Sequence, residues 1–185
     1  MSTVTTAPPP PHNGDKGGAR DGKDGKRRGG SVKRRLALSK TDWRAVEYVR
    51  AKHAVRTFSE AVRLCVQQQD IRDRVCGAPA HRPEKGCAAL VAKLLGGEPD
   101  AEAYRELAGR VFASASAGRP RGDAAEITAD ASLRQWLCRF WPADEQALQG
   151  VISRWALDHV VDAVRFCVRV QAAGDGFAPP GGVWV

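Results

Sequence analysis

The sequence predicts a mainly α-helical fold with one short two-stranded antiparallel ribbon. Residues 33–70 have the pattern of a short strand followed by two short helices. The same pattern recurs after a shift of 102 residues, which aligns 33–68 with 135–170, and we place the second copy at 133–172. An isolated strand cannot satisfy its own backbone groups, so the nearest partner for each strand is the strand of the other copy. We therefore expect the two strands to pair, with a helical insert and linker at 71–132 between the copies.

The first copy opens with a strand that has one apolar face. Residues 35–38 alternate polar or small with apolar side chains, which is typical of a strand with one buried face. Leu36 and Leu38 are therefore expected in the core. Ser39 or Thr41 can then cap the first helix by accepting a hydrogen bond from a free backbone amide.

Two short helices follow this strand. The first is expected to end near His53, and residues 54–56 form the break. Thr57 and Glu60 have the spacing of a capping box, in which each side chain accepts a hydrogen bond from an amide at the start of the second helix. That helix is expected to run to about Gln68.

The second copy matches the first without a gap, and about a quarter of the aligned positions are identical. The clearest match is A-V-R-x-C-V, at 61–66 and again at 163–168. We interpret this as an internal duplication; the alternative is a chance similarity between two amphipathic helical pairs. Cys65 and Cys167 fall at equivalent positions beside valines, where a thiol packs as a small buried group.

The strand of the second copy is less polar than that of the first. Trp136, Cys138 and Phe140 are expected to face the core. Pro142 suits the first position of the following helix, and Asp158 is expected to cap the one after it.

The positive charge lies mostly near the amino terminus. Residues 1–40 carry ten Lys or Arg against three Asp, in a chain of formal net charge +8. Residues 1–32 are rich in Pro, Gly and charge, so we expect a disordered tail. This tail either contacts phosphates or only adds solubility. No window is apolar enough for a signal peptide or a membrane span, which predicts a cytoplasmic protein that does not bind membranes.

The segment between the copies and the end of the chain also carry apolar residues. Asp100 is a plausible N-cap for a helix in the insert. Its apolar face packs on the copies or recruits a protein partner; it comprises Leu90, Val91, Leu94, Leu95, Tyr104, Leu107, Val111 and Phe112. In the C-terminal tail, 173–185, Phe177 and Trp184 are expected to fold back onto the body.

Metal and disulfide chemistry are not indicated. Five cysteines are an odd number and suggest no disulfide framework. Cys76, His81 and Cys87 could be three zinc ligands, but a structural site needs four and no fourth is evident nearby. No nucleophile with a base and an orienting group can be assembled, so neither a cofactor nor an enzyme is predicted.

The two strand-helix-helix copies resemble the ribbon-helix-helix superfamily of Arc/MetJ/CopG-like DNA-binding proteins, and the tandem arrangement is similar to the plasmid-transfer TraY proteins. The resemblance covers about 70 of the 185 residues. It implies a tandem ribbon-helix-helix pseudo-dimer whose ribbon reads bases in the major groove, while amides at the start of the second helix hold a phosphate.

With Leu36 and Leu38 in the core, the alternate residues would face the groove. The base-reading candidates are Lys33, Arg35, Ala37, Ser39, Gln135 and Arg139, and Leu137 and Trp141 would face the same way. The candidates for phosphate contact are Thr57, Phe58, Ser59, Arg27, Arg28 and Arg34. Asp158 would place negative charge at the second phosphate position.

These expectations favour a sequence-specific binder of double-stranded DNA, acting as a transcriptional regulator or as an accessory protein in plasmid transfer or maintenance. The chain could pair with itself on adjacent half-sites. The alternative is a protein-interaction module, antitoxin-like or a scaffold, in which the insert and the C-terminal tail bind a partner.

Overall fold

The computed structural model describes residues 30–79, 81–82, 100–117, 133–182 and 184. The described part is mainly helical with one two-stranded antiparallel sheet, which confirms the predicted class. In chain order the elements are β1 (Val32–Leu38), α1 (Lys40–Lys52), α2 (Phe58–Cys76), α3 (Ala101–Ala117), β2 (Arg134–Phe140), α4 (Pro142–Trp155), α5 (Val160–Gly174) and a short 3-10 turn (Pro180–Gly182).

The two strands form one ribbon, with Arg35 directly opposite Leu137 at its centre. On the inner face, four side chains are fully buried against the helices: Leu36, Leu38, Cys138 and Phe140. The expected core positions are therefore confirmed for both strands, with one difference. Trp136 lies on the inner face, with its ring centroid 5.1 Å from that of Phe58, but it remains 37% exposed.

The two strand-helix-helix units begin their elements at the same spacing. Each element of the second unit (β2, α4, α5) starts 102 residues after its counterpart in the first unit (β1, α1, α2). The turn between the two helices also matches. In both units it passes through an alanine with positive φ, Ala54 at 52° and Ala156 at 49°.

Within this architecture, Asp42 is a fully buried carboxylate that ties the units together. It completes a capping box with Ser39, so of the two expected caps, Ser39 and Thr41, Ser39 is the N-cap of α1. Arg169 of α5 donates to both carboxylate oxygens, at 2.6 and 3.2 Å, and Arg165 lies 3.6 Å away. The charge is thus neutralised by the other unit, as a buried carboxylate requires.

Asp144 occupies the equivalent place in the second unit. It accepts a hydrogen bond from the backbone amide of Trp141 at 2.8 Å and one from Gln67 of α2 at 2.5 Å. Arg63 lies 3.8 Å from it. Gln67 and Arg63 are the counterparts, 102 residues earlier, of the two arginines around Asp42. The contacts between the two units are therefore reciprocal: the buried aspartate of each unit is bound by side chains from the last helix of the other unit.

The helix boundaries agree with the sequence at three ends and differ at two. α1 ends at Lys52, α2 begins with the Thr57 and Glu60 capping box, and Pro142 is the first residue of α4. The predicted end of α2 at Gln68 was wrong, because the helix continues to Cys76. The expected position of Asp158 as the N-cap was also wrong, because the N-cap residue of α5 is His159, whose side chain makes no capping hydrogen bond.

The added turns of α2 receive the helix of the insert. Asp73 is fully buried and accepts hydrogen bonds from the Tyr104 hydroxyl of α3 at 2.5 Å and from the Trp155 indole of α4 at 2.9 Å. Gln69 donates to both Asp73 and Tyr104. The insert helix therefore packs on the two units, and burial raises the pKa of Asp73 to about 6.

This raised pKa predicts a pH-dependent stability. Between about pH 4 and pH 6 the folded chain holds the Asp73 proton more tightly than the unfolded chain, so the Asp73 contribution to stability falls as pH rises, by about 3 kcal/mol in total. Asp73→Asn removes this titration and keeps an acceptor for Tyr104. Urea unfolding at pH 4.5 and pH 7 measures the free energy of unfolding of both chains. From the lower to the higher pH, the stability of the variant should rise relative to that of the natural chain. An equal difference between the two chains at both pH values would contradict the prediction.

The predicted cap of the insert helix and the predicted folding back of the C-terminal tail both lie in the described part of the chain. Asp100 caps α3 through the amides of residues 102 and 103. Phe177 and Trp184 do fold back, with Trp184 only 9% exposed. The tail of 1–29, the linker of 118–132 and the apolar positions 90, 91, 94 and 95 lie outside the described residues.

Four of the five cysteines lie in the described part of the chain, and all four are buried. Cys65 and Cys167 are fully buried, as predicted, and burial raises the pKa of both thiols. Cys76 is also buried, while Cys87 lies outside the described residues. No cluster of metal-ligating side chains occurs in the part of the chain that the structure describes. None of the helices described here combines the length and apolar character needed to cross a bilayer.

Candidate functional site

The outer face of the ribbon points away from the helices and carries the predicted base-reading side chains. Direct partners across an antiparallel pair lie on the same face, so the register brings six side chains together. They form three facing pairs: Lys33 with Arg139, Arg35 with Leu137, and Ala37 with Gln135. Ala37 is half-buried and the other five are exposed. We call this set the outer face.

Ser39, the sixth residue predicted to read bases, lies just beyond the end of β1. Its hydroxyl accepts from the Asp42 amide at 3.1 Å and donates to the Asp42 carboxylate at 2.9 Å. The hydroxyl is therefore engaged in capping α1. Trp141, its counterpart after β2, is 47% exposed.

The start of α2 lies beside the ribbon, where the phosphate contact was predicted. Thr57 is exposed, and its backbone amide donates to the Glu60 carboxylate at 3.0 Å. Phe58 is 6% exposed and holds this helix end in place by stacking on Trp43 at 4.1 Å. Ser59 accepts a long hydrogen bond, 3.4 Å, from the Trp136 indole. The start of α2 is thus anchored to both α1 and β2.

The equivalent helix start in the second unit has different chemistry. α5 begins at Val160 with His159 before it, and an exposed Asp158 stands where the first unit has the exposed Arg56. A carboxylate here opposes an incoming anion, whereas an arginine attracts one. The two helix starts are therefore unequal in charge.

Arg34, a predicted phosphate contact, forms a bidentate ion pair with Glu145 of α4, at 3.0 and 2.7 Å. The hydrogen bond to Glu145 is the largest cause of the raised pKa of Arg34. The side chain is 37% exposed. A phosphate would have to compete with Glu145 for this guanidinium. Arg27 and Arg28 lie outside the described residues.

An aromatic cluster, which was not predicted from the sequence, lies where β2 meets the first turns of α1 and α2. Trp43, Phe58 and Trp136 lie within 5.6 Å of one another by ring centroids, and the Arg134 guanidinium lies 5.6 Å from Trp43. In the alignment of the two copies, Trp43 corresponds to Glu145 and Trp136 corresponds to Arg34. The Trp43–Trp136 contact therefore occupies the place that the Glu145–Arg34 ion pair has in the other half, and this alignment was the sequence signal that could have predicted it.

The outer face is a mostly exposed strip with three cations and one large apolar side chain, Leu137, which is 56% exposed. The three cations are Lys33, Arg35 and Arg139, and they give this face a positive charge. Comparison with protein-family models, curated proteins and solved structures finds no match for this chain.

Proposed function

We propose that this chain is a tandem ribbon-helix-helix pseudo-dimer that binds double-stranded DNA in a sequence-specific manner through the outer face of its ribbon. The observation that carries the proposal is a coincidence between sequence and register. The 102-residue shift makes Arg35 and Leu137 equivalent, and the ribbon pairs these same two residues. An approximate twofold axis through that pair would relate the two units as it relates the chains of a symmetric dimer.

The dimensions and charge of the ribbon support this proposal. The major groove of B-DNA admits a two-stranded ribbon, and its base edges accept hydrogen bonds from cationic side chains. Arg35 stands at the centre of the outer face, with Lys33 and Arg139 beside it. Cations at this spacing can donate to guanine O6 and N7 while the helices remain outside the groove.

The start of α2 supports the proposal in a second way. The amides of Phe58 and Ser59 point out of a helix start, where backbone N–H groups and the helix dipole favour an anion. Arg56 precedes them with a further positive charge. Phosphate contacts of this kind position a protein on the duplex, and the residues of the outer face then supply the sequence preference.

The role of such a protein would be transcriptional regulation, or plasmid transfer or maintenance, and a cytoplasmic location is part of the proposal. The basic tail of 1–32 would add contacts that depend on salt but not on sequence. Contacts made by the tail can be distinguished from base readout by the ribbon. Selection from a random duplex DNA pool would be carried out with the full-length chain and with a variant lacking residues 1–30. A motif enriched by both supports readout by the ribbon. Binding without a motif, lost with the tail, would refute the proposal.

Arg35→Ala is expected to weaken binding to the selected motif by about 1–3 kcal/mol and to remove the base preference at the central position. The reason is that Arg35 stands at the centre of the ribbon and would donate two hydrogen bonds to one base. Titration of the motif and of a duplex changed at its centre would measure both effects.

Arg110→Ala is the matched control for this prediction. It removes the same charge from α3, where the side chain is 69% exposed and lies on the helical layer rather than on the ribbon. Its affinity and base preference should stay close to those of the natural chain. Equal losses for both variants would mean that only overall charge matters, and the central readout by Arg35 would be wrong.

A second candidate function is a protein-interaction module, and one observation favours it. Val32, Leu137 and Trp141 are large apolar side chains left 41%, 56% and 47% exposed on or beside the ribbon. Exposed apolar groups of this size can form the centre of a protein interface. Under this reading Arg35→Ala leaves partner binding intact, and no duplex motif is enriched.

A further inference from the structure

The two ends of the outer face differ in chemistry. Lys33 and Arg139 face each other at one end, and Ala37 and Gln135 face each other at the other. In a pair of identical first units, each end would carry one lysine and one alanine. Here both cations fall at the same end, because the second unit has Arg139 at the place of Ala37 and Gln135 at the place of Lys33.

Each end matches a different base pair. Lysine and arginine donate to the O6 and N7 atoms of guanine, whereas glutamine pairs with the N6 and N7 atoms of adenine and alanine contacts the methyl group of thymine. Four residues of strand separate the ends, about 13 Å. That distance corresponds to the rise of about four base pairs.

The helix starts differ in the same one-sided way. Arg56 and Thr57 precede the start of α2, and the exposed Asp158 and His159 precede that of α5. A palindromic DNA site would place equivalent phosphates at both helix starts, but one start carries an arginine and the other an aspartate. The flanks of the ribbon are therefore unequal, as its ends are.

Resting on the proposed function, we infer that the chain recognises a polar, non-palindromic duplex site, with a G·C end beneath Lys33 and Arg139 and an A·T end beneath Ala37 and Gln135. The centre, with Arg35 opposite Leu137, would combine a guanine contact with a thymine methyl contact. The site thus has a direction, and the chain binds it in one orientation.

The test is selection from a random duplex pool with the full-length chain and two variants. The natural chain is expected to enrich one motif without dyad symmetry. The variant with Lys33→Gln and Arg139→Ala changes only exposed residues, and it should replace the G·C end with A·T. The variant with Ala37→Lys and Gln135→Arg should replace the A·T end with G·C. Each should bind the natural motif more weakly, by roughly 5- to 150-fold per lost bidentate contact.

The outcomes separate this inference from the function on which it rests. A palindromic motif from the natural chain, or ends that do not change in either variant, would overturn the polar site while DNA recognition stands. Failure of the natural chain to enrich any motif would overturn the proposed function and the polar site together. Circular dichroism and thermal unfolding of both variants should match the natural chain, since the changed side chains lie outside the core.

Discussion

Asp42→Ala is expected to lower the free energy of unfolding by about 3–5 kcal/mol, the usual cost of removing one partner of a buried ion pair. The carboxylate is fully buried, and its loss leaves the Arg169 charge, itself 6% exposed, without that partner. It also removes half of the capping box with Ser39. Chemical denaturation of the purified chain measures this change directly.

Asp144→Ala is the matched control, because it removes the equivalent carboxylate from the second unit. The free energy of unfolding is expected to fall less in this variant, by about 1–3 kcal/mol. The partners left without the carboxylate are the neutral Gln67 amide and the Arg63 side chain, which is 20% exposed. Replacing Arg169 together with Asp42 by apolar residues should recover part of the stability. An Asp42→Ala loss no larger than that of Asp144→Ala would contradict the prediction.

Phe140→Ala is expected to lower the free energy of unfolding by about 3–5 kcal/mol. The ring is among the largest fully buried side chains, and its removal opens a cavity beneath the ribbon that the helices can fill only in part. Thermal unfolding followed by far-UV circular dichroism would show a lower midpoint with the same folded spectrum.

Leu137→Ala, three residues earlier on the same strand, provides the contrast. That side chain is 56% exposed on the outer face, so the free energy of unfolding should change by less than about 0.5 kcal/mol. In the DNA selection that tests the proposed function, this variant therefore probes the outer face without a change in stability. Comparable destabilisation by both substitutions would contradict the assignment of inner and outer faces.

The elements themselves could be predicted from short-range sequence patterns. Alternation identified the strand and its buried residues Leu36 and Leu38, and the spacing of Thr57 and Glu60 located the start of α2. The start of α1 was predicted less closely, with a cap at Ser39 or Thr41. These features depend on residues within a few positions of each other, so the local sequence contains the necessary information. The 102-residue shift then extended the same assignment to the second unit.

The end of α2 could not be predicted in this way. Beyond Gln68 the two positions that continue the buried face of α2, Gln69 and Asp73, are polar, so the apolar stripe of the helix stops there. The helix continues because Gln69 and Asp73 are buried against Tyr104 and Trp155, which lie far away in the sequence. Polar residues become buried when tertiary partners satisfy them, and local patterns carry no record of those partners.

The candidate site shows the same division. Alternation along a strand is a local property, so the side chains of the outer face could be predicted from each strand alone. The pairing of Arg35 with Leu137, which brings Lys33 and Arg139 to one end, appears only in the folded chain. The tertiary structure also decided that Glu145 engages Arg34. Register and ion pairing join residues roughly a hundred positions apart, so the packing of the two units determines them rather than either unit alone.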